Sequence, residues 1–328
     1  MPSSQLPERV FASFLREVCE KRGITVTGFS SDWVFRLQRD QTVAFVFGYD
    51  FSLNSATAQL IAKDKSATSD LLAFHNVLRI EHRLVTTPQL PAFVPAGGNW
   101  SELLAYFERS GCDVVCKPND GTGGSDVFRA RTIVQLEGAI HRLLQRSRAC
   151  CVSPYVTITN EYRVILVSGT PQVVYRKQRP ALTGDGVHTV RELLVERIRA
   201  GKSASVEAAL LTGGADAHVD LDAVLPVGEA LPLDWRHNLG QGAVPHLEAE
   251  QTVRWQALTA LASAASAAIG ITTASIDIVD MEGSLLVLEI NSGIMMEAFA
   301  RASAQHEAIA RAVYDRIVAS LFDLPALE

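Results

Sequence analysis

The segment ASIDIVDMEGSLLVLEINSG, residues 274–293, limits the folds open to this chain more than any other stretch. Two apolar-rich runs alternate with period two on either side of Met281–Glu282–Gly283. That pattern predicts two antiparallel strands joined by a tight turn. Alternation puts Ile276, Ile278, Leu286 and Leu288 on one apolar face, and Asp277, Val287, Glu289 and Asn291 on the other. Folded at the turn, the strands bring Asp277 toward Glu289 and Asn291. Two carboxylates and an amide oxygen make a hard, oxygen-only donor set, which suits Mg²⁺ when phosphates supply further ligands. Carboxylates on adjacent strands repel, so a cation, a lysine or an arginine must offset them. The plainer alternative is an exposed sheet face on which Asp and Glu meet only water.

A second stretch, VVCKPNDGTGGSDVFRA (114–130), takes an apolar run to Lys117 and then into glycines. The loop 119–126 can act as a phosphate clamp, because glycines leave backbone N–H groups accessible and Lys117 adds a point charge. It is neither a Walker A loop nor G-x-G-x-x-G, since the lysine precedes the glycines. A flexible hairpin with a solvated lysine is the alternative. A phosphate loop and a magnesium face far apart in sequence are together what an ATP site built between two lobes requires.

The rest of the chain reads as mixed α+β. Residues 7–22 predict an amphipathic helix with Val10, Phe11, Phe14, Leu15 and Val18 near one face. Residues 42–51 predict a strand and turn, and 52–77 two helical pieces, the second capped by Asp64 or Ser66. The Pro- and Gly-rich run 87–99 is a connector. Helices follow in SELLAYFERS, VQLEGAIHRLLQRS, HTVRELLVERIRA, EAEQTVRWQALTALASAAS and RASAQHEAIARAVYDRIVASLF. Strands follow in CDVVCKP, CVSPYVT, EYRVILVSGT and PQVVYRKQR, with a hairpin turn at Ser168–Gly169–Thr170. Arg163, Arg176, Lys177 and Arg179 lie on or beside that hairpin. Arg163 and Arg176 can hold phosphate or carboxylate through bidentate contacts, or pair with Glu161 or Asp185. In DWRHNLGQGAVPHL (234–247), Arg236 and Asn238 precede Gly240 and Gly242, which is loop chemistry able to hold an anion.

Composition excludes several classes. With 30 Lys+Arg against 36 Asp+Glu the net charge is −6, so there is no broad basic field for a nucleic acid. The five cysteines are odd in number and irregular in spacing, which argues for buried thiols in a reducing compartment over a zinc site. The N-terminus is too charged for a secretory signal, and the run 257–276 is too rich in Ala, Ser and Thr for a membrane span. These features predict a cytoplasmic chain without a membrane or nucleic-acid partner. A homodimer is the expectation from the frequency of two-fold oligomers.

From IAKDKSATSDLL (61–72) to LLVLEINSG (285–293), the chain resembles the ATP-grasp superfamily of carboxylate–amine ligases. It is most similar to the branch holding cyanophycin synthetase, glutathione-synthetase-like domains and ribosomal-protein-S6-type glutamate ligases. RKQRPALTGDGVHTVRELL, WRHNLGQG and IDIVDMEGSLLVLEINSG carry the resemblance most strongly. It implies an ATP-grasp fold with a nucleotide cleft between two α/β lobes. It further implies a small N-terminal domain over 1–88, a lid subdomain over 89–155 and a catalytic subdomain over 156–328.

By the same resemblance, Lys65 and Lys117 are nucleotide-binding lysines, and Gly121, Thr122, Gly123, Gly124 and Ser125 form the lid over the phosphates. Asp277, Glu289 and Asn291 are ligands of Mg²⁺, with Mn²⁺ possible. Arg236 reaches the transferred phosphate, and Arg163 and Arg179 take substrate- and phosphate-side positions. The implied reaction joins a small-molecule carboxylate to an amine through an acyl phosphate, with ATP consumed to ADP. A nucleotide-binding regulatory module and a small-molecule kinase are the alternatives.

The chain departs from the family pattern at three places. Asp126 stands where a further glycine is usual, placing a carboxylate near the phosphates. Ser153–Pro154–Tyr155–Val156 replaces a Glu-led segment, leaving adenine to the backbone groups of Tyr155 and Val156. Ala243 follows Gly240–Gln241–Gly242 in place of a double glycine.

Overall fold

The structure is a computed structural model that describes residues 9–87, 100–120, 126–200 and 219–325. The chain divides into two compact units, Met1–Tyr175 with Leu247–Glu328, and Arg176–His246. The boundaries expected at 88 and 155 both fall within the span of the first unit.

The first unit begins with α1 (Val10–Lys21) and the strands β1 (Thr25–Phe29), β2 (Val34–Arg39), β3 (Thr42–Phe47) and β4 (Asp50–Phe51). These strands form one sheet in sequence order. Its inner side chains, among them Phe35, Leu37, Val46 and Phe51, are buried. Phe11 of α1 meets Phe35 and Phe51 edge-on, with ring centroids 6.1 and 5.8 Å apart. Helices α2 (Ala56–Lys63) and α3 (Lys65–Phe74) follow. Ser55 caps α2, and Asp64 caps α3 by accepting the Ala67 N–H at 2.8 Å. Ser66, the other candidate cap, lies inside the helix and bonds elsewhere.

Next come β5 (Arg83–Thr86), α4 (Trp100–Arg109), β6 (Val114–Pro118), β7 (Phe128–Ala130), α5 (Ile133–Leu144) and β8 (Ala149–Pro154). The four strands form a sheet in the order β5–β8–β6–β7. Leu103 and Phe107 of α4 and Leu136 and Leu143 of α5 pack on Val114 and Val152 of this sheet.

β9 (Asn160–Val167) turns through Ser168 and Gly169, both at positive φ, into β10 (Thr170–Gln178), which leads out into the second unit. The second unit holds β11 (Ala181–Thr183), α6 (Val190–Arg199), β12 (Ala230–Pro232) and most of β13 (Val244–Leu247). Its small core is Leu182, Val190, Leu194 and Leu233. Thr189 and Glu192 close a reciprocal capping box on α6.

The chain then returns to the first unit with the helix Val253–Ile269, β14 (Ala274–Met281), β15 (Ser284–Asn291) and the closing helix Ala304–Leu321. β10, β9, β14 and β15 lie side by side in one antiparallel sheet. Ile276, Ile278, Val287 and Ile290 of that sheet bury against Leu72 of α3 and Leu258, Ala262 and Ala265 of the long helix. The small residues of that helix let it approach the sheet closely, as its Ala- and Ser-rich sequence predicts. Among the described residues no helix is long and apolar enough to cross a membrane.

Candidate functional site

Asp277 of β14 stands directly opposite Glu289 of β15, as alternation predicts, but the strand reaches that pairing by a route that alternation does not show. The register slips between Asp277 and Ile278, so that Ile278 pairs with Val287 and Leu288 is passed over. This β-bulge reverses the face of the residues before it. Val287, expected beside Glu289, is buried in the core with Ile276 and Ile278, whereas Leu286 and Leu288 are only partly buried. Beyond the bulge Glu289 and Asn291 share the site face, and the Asn291 Nδ2 donates to Glu289 Oε1 at 3.2 Å.

Two cations relieve the carboxylates. Arg163, in register with Asp277 on the other side of β14, donates from Nε and Nη2 to its two oxygens, each at 2.7 Å. The partner of Arg163 is thus neither Glu161 nor Asp185. Burial works against the Arg163 charge, but Asp277 outweighs it and holds the guanidinium protonated well above its ordinary range. On the other strand, Lys65 Nζ lies 3.8 Å from Glu289 Oε2.

Lys65 is the first residue of α3, which places its stem beside β15. The end of β6 holds that helix start from the other side. Asn119, two residues after Lys117, accepts the Lys65 backbone N–H on its carbonyl at 3.1 Å. Its side-chain Oδ1 accepts from Ser66 N at 3.2 Å and Ser66 Oγ at 2.9 Å. One residue thereby ties the strand that ends in Lys117 to the helix that begins with Lys65. Both lysines are nearly enclosed, at 9% and 8% exposure. Burial lowers the Lys117 pKa and Lys65 adds to that, while Cys151, Glu289 and Glu161 oppose it. Two enclosed ammonium groups electrostatically coupled to each other form a site that favours an anion.

Three more residues belong to this site, of which Cys151 and His82 carry no site role in the sequence and Glu161 stands there only as a possible partner of the hairpin arginines. Cys151 faces Lys117 across the β6–β8 ladder, and burial pushes its thiol up to about 11 despite the two lysines. Glu161 is buried on β9, two residues before Arg163. His82 lines the same small pocket as Lys65, Ser69, Arg79 and Glu289. Its Nδ1 lies 3.0 Å from the Ile80 carbonyl, and its buried Nε2 has no hydrogen-bond partner among the described residues. The backbone of 78–80 runs along β15, with Ile80 N and Val287 N donating to Val287 O and Leu78 O, both at 2.9 Å, and this fixes where His82 enters. A buried histidine in a run such as LRIEHRLV carries no local signal, because only the fold brings it to the lysines.

The lid residues Gly121, Thr122, Gly123, Gly124 and Ser125 lie outside the described residues. Asp126 just beyond them is paired, its carboxylate oxygens 3.0 and 3.1 Å from Arg146 Nη1. The Tyr155 N–H, expected to face adenine, donates instead to the Asp113 carbonyl at 2.9 Å. Arg129 stacks over the Tyr155 ring at 3.4 Å and forks onto Asp113, which holds that turn in place. Val156 is partly buried just after β8.

Arg179 and Arg236 belong to the second unit. Arg236 binds Asp234, with Nη2 2.9 Å from Oδ2. His237 beside it puts Nδ1 2.8 Å from the Lys177 carbonyl, and burial lowers its pKa to about 4. Gly242 sits at φ 94°, the left-handed region, where a side chain is strained.

Among the described residues no group of three or more His, Cys, Asp or Glu side chains gathers around a metal position. The donors on the site face are two carboxylates and an amide, and they still fit a hard cation. Both Asp277 oxygens accept from Arg163, and Glu289, directly opposite, and Asn291 add oxygens on the same face.

Residues 229–313 match the family model described as a RimK-like ATP-grasp domain. No curated protein matches the sequence. Among solved structures, a bifunctional glutathione synthetase from Pasteurella multocida superposes with a TM-score of 0.57 at 16% identity, over 94% of this chain and 44% of that one. The chain thus spans less than half of that protein. A D-alanine–D-alanine ligase from Bacillus anthracis superposes with a TM-score of 0.53 at 12% identity, over 82% of this chain and 69% of that one. The same ligase complexed with ATP gives 0.51 at 12% identity, over 82% and 68%. The matched segment and the shared architecture show that the chain has an ATP-grasp fold.

Proposed function

We propose that the protein is an ADP-forming ligase that joins a small carboxylate, such as an amino acid or short peptide, to an amine. The observation that carries this reading is the enclosed pair Lys65 and Lys117, set beside the oxygen face of Asp277, Glu289 and Asn291 in one unit. Two buried cations, with no carboxylate within hydrogen-bond distance of Lys117 among the described residues, suit the phosphates of ATP. Asp277, Glu289 and Asn291 would hold Mg²⁺. That ion supplies charge neutralisation on the phosphates during transfer.

The chain's own groups act by alignment. Lys65 and Lys117 bind and orient phosphate oxygens, and Arg163 holds Asp277 in place through two parallel hydrogen bonds. Asn119 couples the two lysines through backbone and side-chain bonds, so that they are positioned together. Attack of the substrate carboxylate on the γ-phosphorus forms an acyl phosphate and releases ADP. Attack of the amine on the acyl carbon then forms the amide and releases phosphate. Arg179 and Arg236 are proposed as anion-holding residues of the second unit.

The test is an ADP-release screen of amino acids and small carboxylates in pairs with amines, with mass detection of the product. A condensed amide is expected. ADP release with a stable phosphorylated carboxylate would identify a kinase, and nucleotide binding without ADP release under any pairing would identify a regulatory module.

A further inference from the structure

The sheet β1–β2–β3 packs one face on α1, and among the described residues nothing covers the other. Registers Phe29↔Val34↔Phe47, Thr27↔Arg36↔Phe45 and Thr25↔Gln38↔Val43 set nine side chains of the outer face in three rows. Phe45 and Phe47 are 52% and 60% exposed, and Phe29, Val43 and the adjacent Trp33 are exposed with them. Trp33 meets Phe47 edge-on at 6.3 Å, so the patch continues past the strand end. A solvated face of an antiparallel sheet normally alternates to polar residues. Here the nine positions include one charged residue, Arg36, whose Nη1 donates to Gln38 Oε1 at 2.7 Å. Scattered apolar side chains on a surface are ordinary, but a contiguous aromatic patch marks an interaction site.

We propose that this face pairs with the same face of a second copy of the chain. The area suits it. Aromatic side chains of roughly 150–250 Å² each, about half exposed, give on the order of 500 Å² of apolar surface per copy. With the flanking Thr25, Thr27, Arg36 and Gln38, two copies bury about 1,200 Å², the lower end for a stable interface. Two-fold pairing sets apolar against apolar, and none of the nine side chains is a carboxylate to be buried. An axis passing by Phe45 and Phe47 leaves each Arg36 toward the rim, where it stays hydrated. A foreign chain selected by charge would need an acidic group facing Arg36, but Gln38 already holds that guanidinium.

The test is light scattering on the full chain over about 1–200 µM, a range spanning weak to moderate dimer affinities. A dimer of the 35.6 kDa chain is expected. Phe45→Glu/Phe47→Glu should weaken association by at least about 100-fold, with far-UV circular dichroism unchanged. Phe47→Lys alone, at the strand end, is the milder variant should the double one misfold. Phe74→Glu, which changes an exposed apolar residue on α3, should leave the dimer intact. A wild-type chain that stays monomeric throughout overturns the proposal, even if the face then captures a different protein. So does a dimer that survives Phe45→Glu/Phe47→Glu, or one that Phe74→Glu dissociates.

Discussion

Arg163 and Asp277 face each other across neighbouring strands and share two parallel hydrogen bonds of 2.7 Å, with Asp277 only 2% exposed. Removing the arginine leaves a carboxylate buried without its closest counter-charge. Arg163→Met should therefore destabilise the protein by roughly 3–5 kcal/mol. Arg163→Met/Asp277→Leu should recover most of that loss, because neither charge then remains. Urea denaturation of the two variants checks both statements. An Arg163→Met protein with a wild-type midpoint would show that the fork contributes little.

Glu289→Gln should lower turnover by about 100-fold or more while leaving the unfolding midpoint near wild type, since Glu289 sits at the edge of the site and not in the core. Lys117→Ala should raise the ATP concentration needed for half-maximal rate by at least about tenfold. Unchanged ATP titrations would remove Lys117 from the phosphate site.

Asn119→Ala deletes the acceptor for both Ser66 donors. The cost should be about 1–3 kcal/mol, because buried donors lose their partner. The same variant should weaken ATP binding measured by calorimetry, since the helix start that carries Lys65 keeps only its main-chain bond to the β6 end. Asn119→Asp keeps the acceptor and should retain most of the stability.

Acid should destabilise the protein through His82. Burial, with Lys117 and Lys65 nearby, holds its pKa well below the ordinary 6.5. The unfolded chain therefore binds a proton that the folded chain refuses, and stability rises with pH in that window. The contribution is present in full above about 6.5 and is lost as pH falls toward the folded-state pKa. Melting temperatures at pH 7 and pH 5 should differ less in His82→Gln than in wild type. An equal drop in both would assign the acid sensitivity elsewhere.

Asp126 should not hinder nucleotide binding. Its carboxylate is drawn to Arg146, although that pair is solvent-exposed and weak. Asp126→Asn should change the apparent ATP requirement by less than about twofold. A larger gain in affinity would mean that the carboxylate turns back toward the phosphates.

Much of this architecture was legible because the relevant signals are local. The caps at Asp64 and Thr189, the hairpin turns and the long Ala-rich helix follow from residues a few positions apart. The Asp277–Glu289 pairing followed from two alternating runs and one turn. What was missed depended on distance along the chain. Arg163 meets Asp277 from 114 residues away, and Asn119 meets Ser66 from 53 away. No periodicity reports such partners. β1 and β2 were not marked either. Gly28 interrupts the first, and the second carries Arg36, Gln38 and Arg39 among its apolar residues. Their solvent face departs from the usual polar alternation.

The bulge at Leu288 bears on how this hairpin compares with those of kindred chains. Because Leu288 has no opposite number, it can be lost without exchanging the inner and outer faces of β15. A sequence one residue shorter here would still put its acid and its amide on the wet side. An alignment that places the gap in the turn Met281–Glu282–Gly283, where length differences usually collect, would leave Glu289 in step but shift residues 284–288 by one. It would set the core residue Val287 against an outward-facing residue of the other chain. The correct gap lies inside the strand.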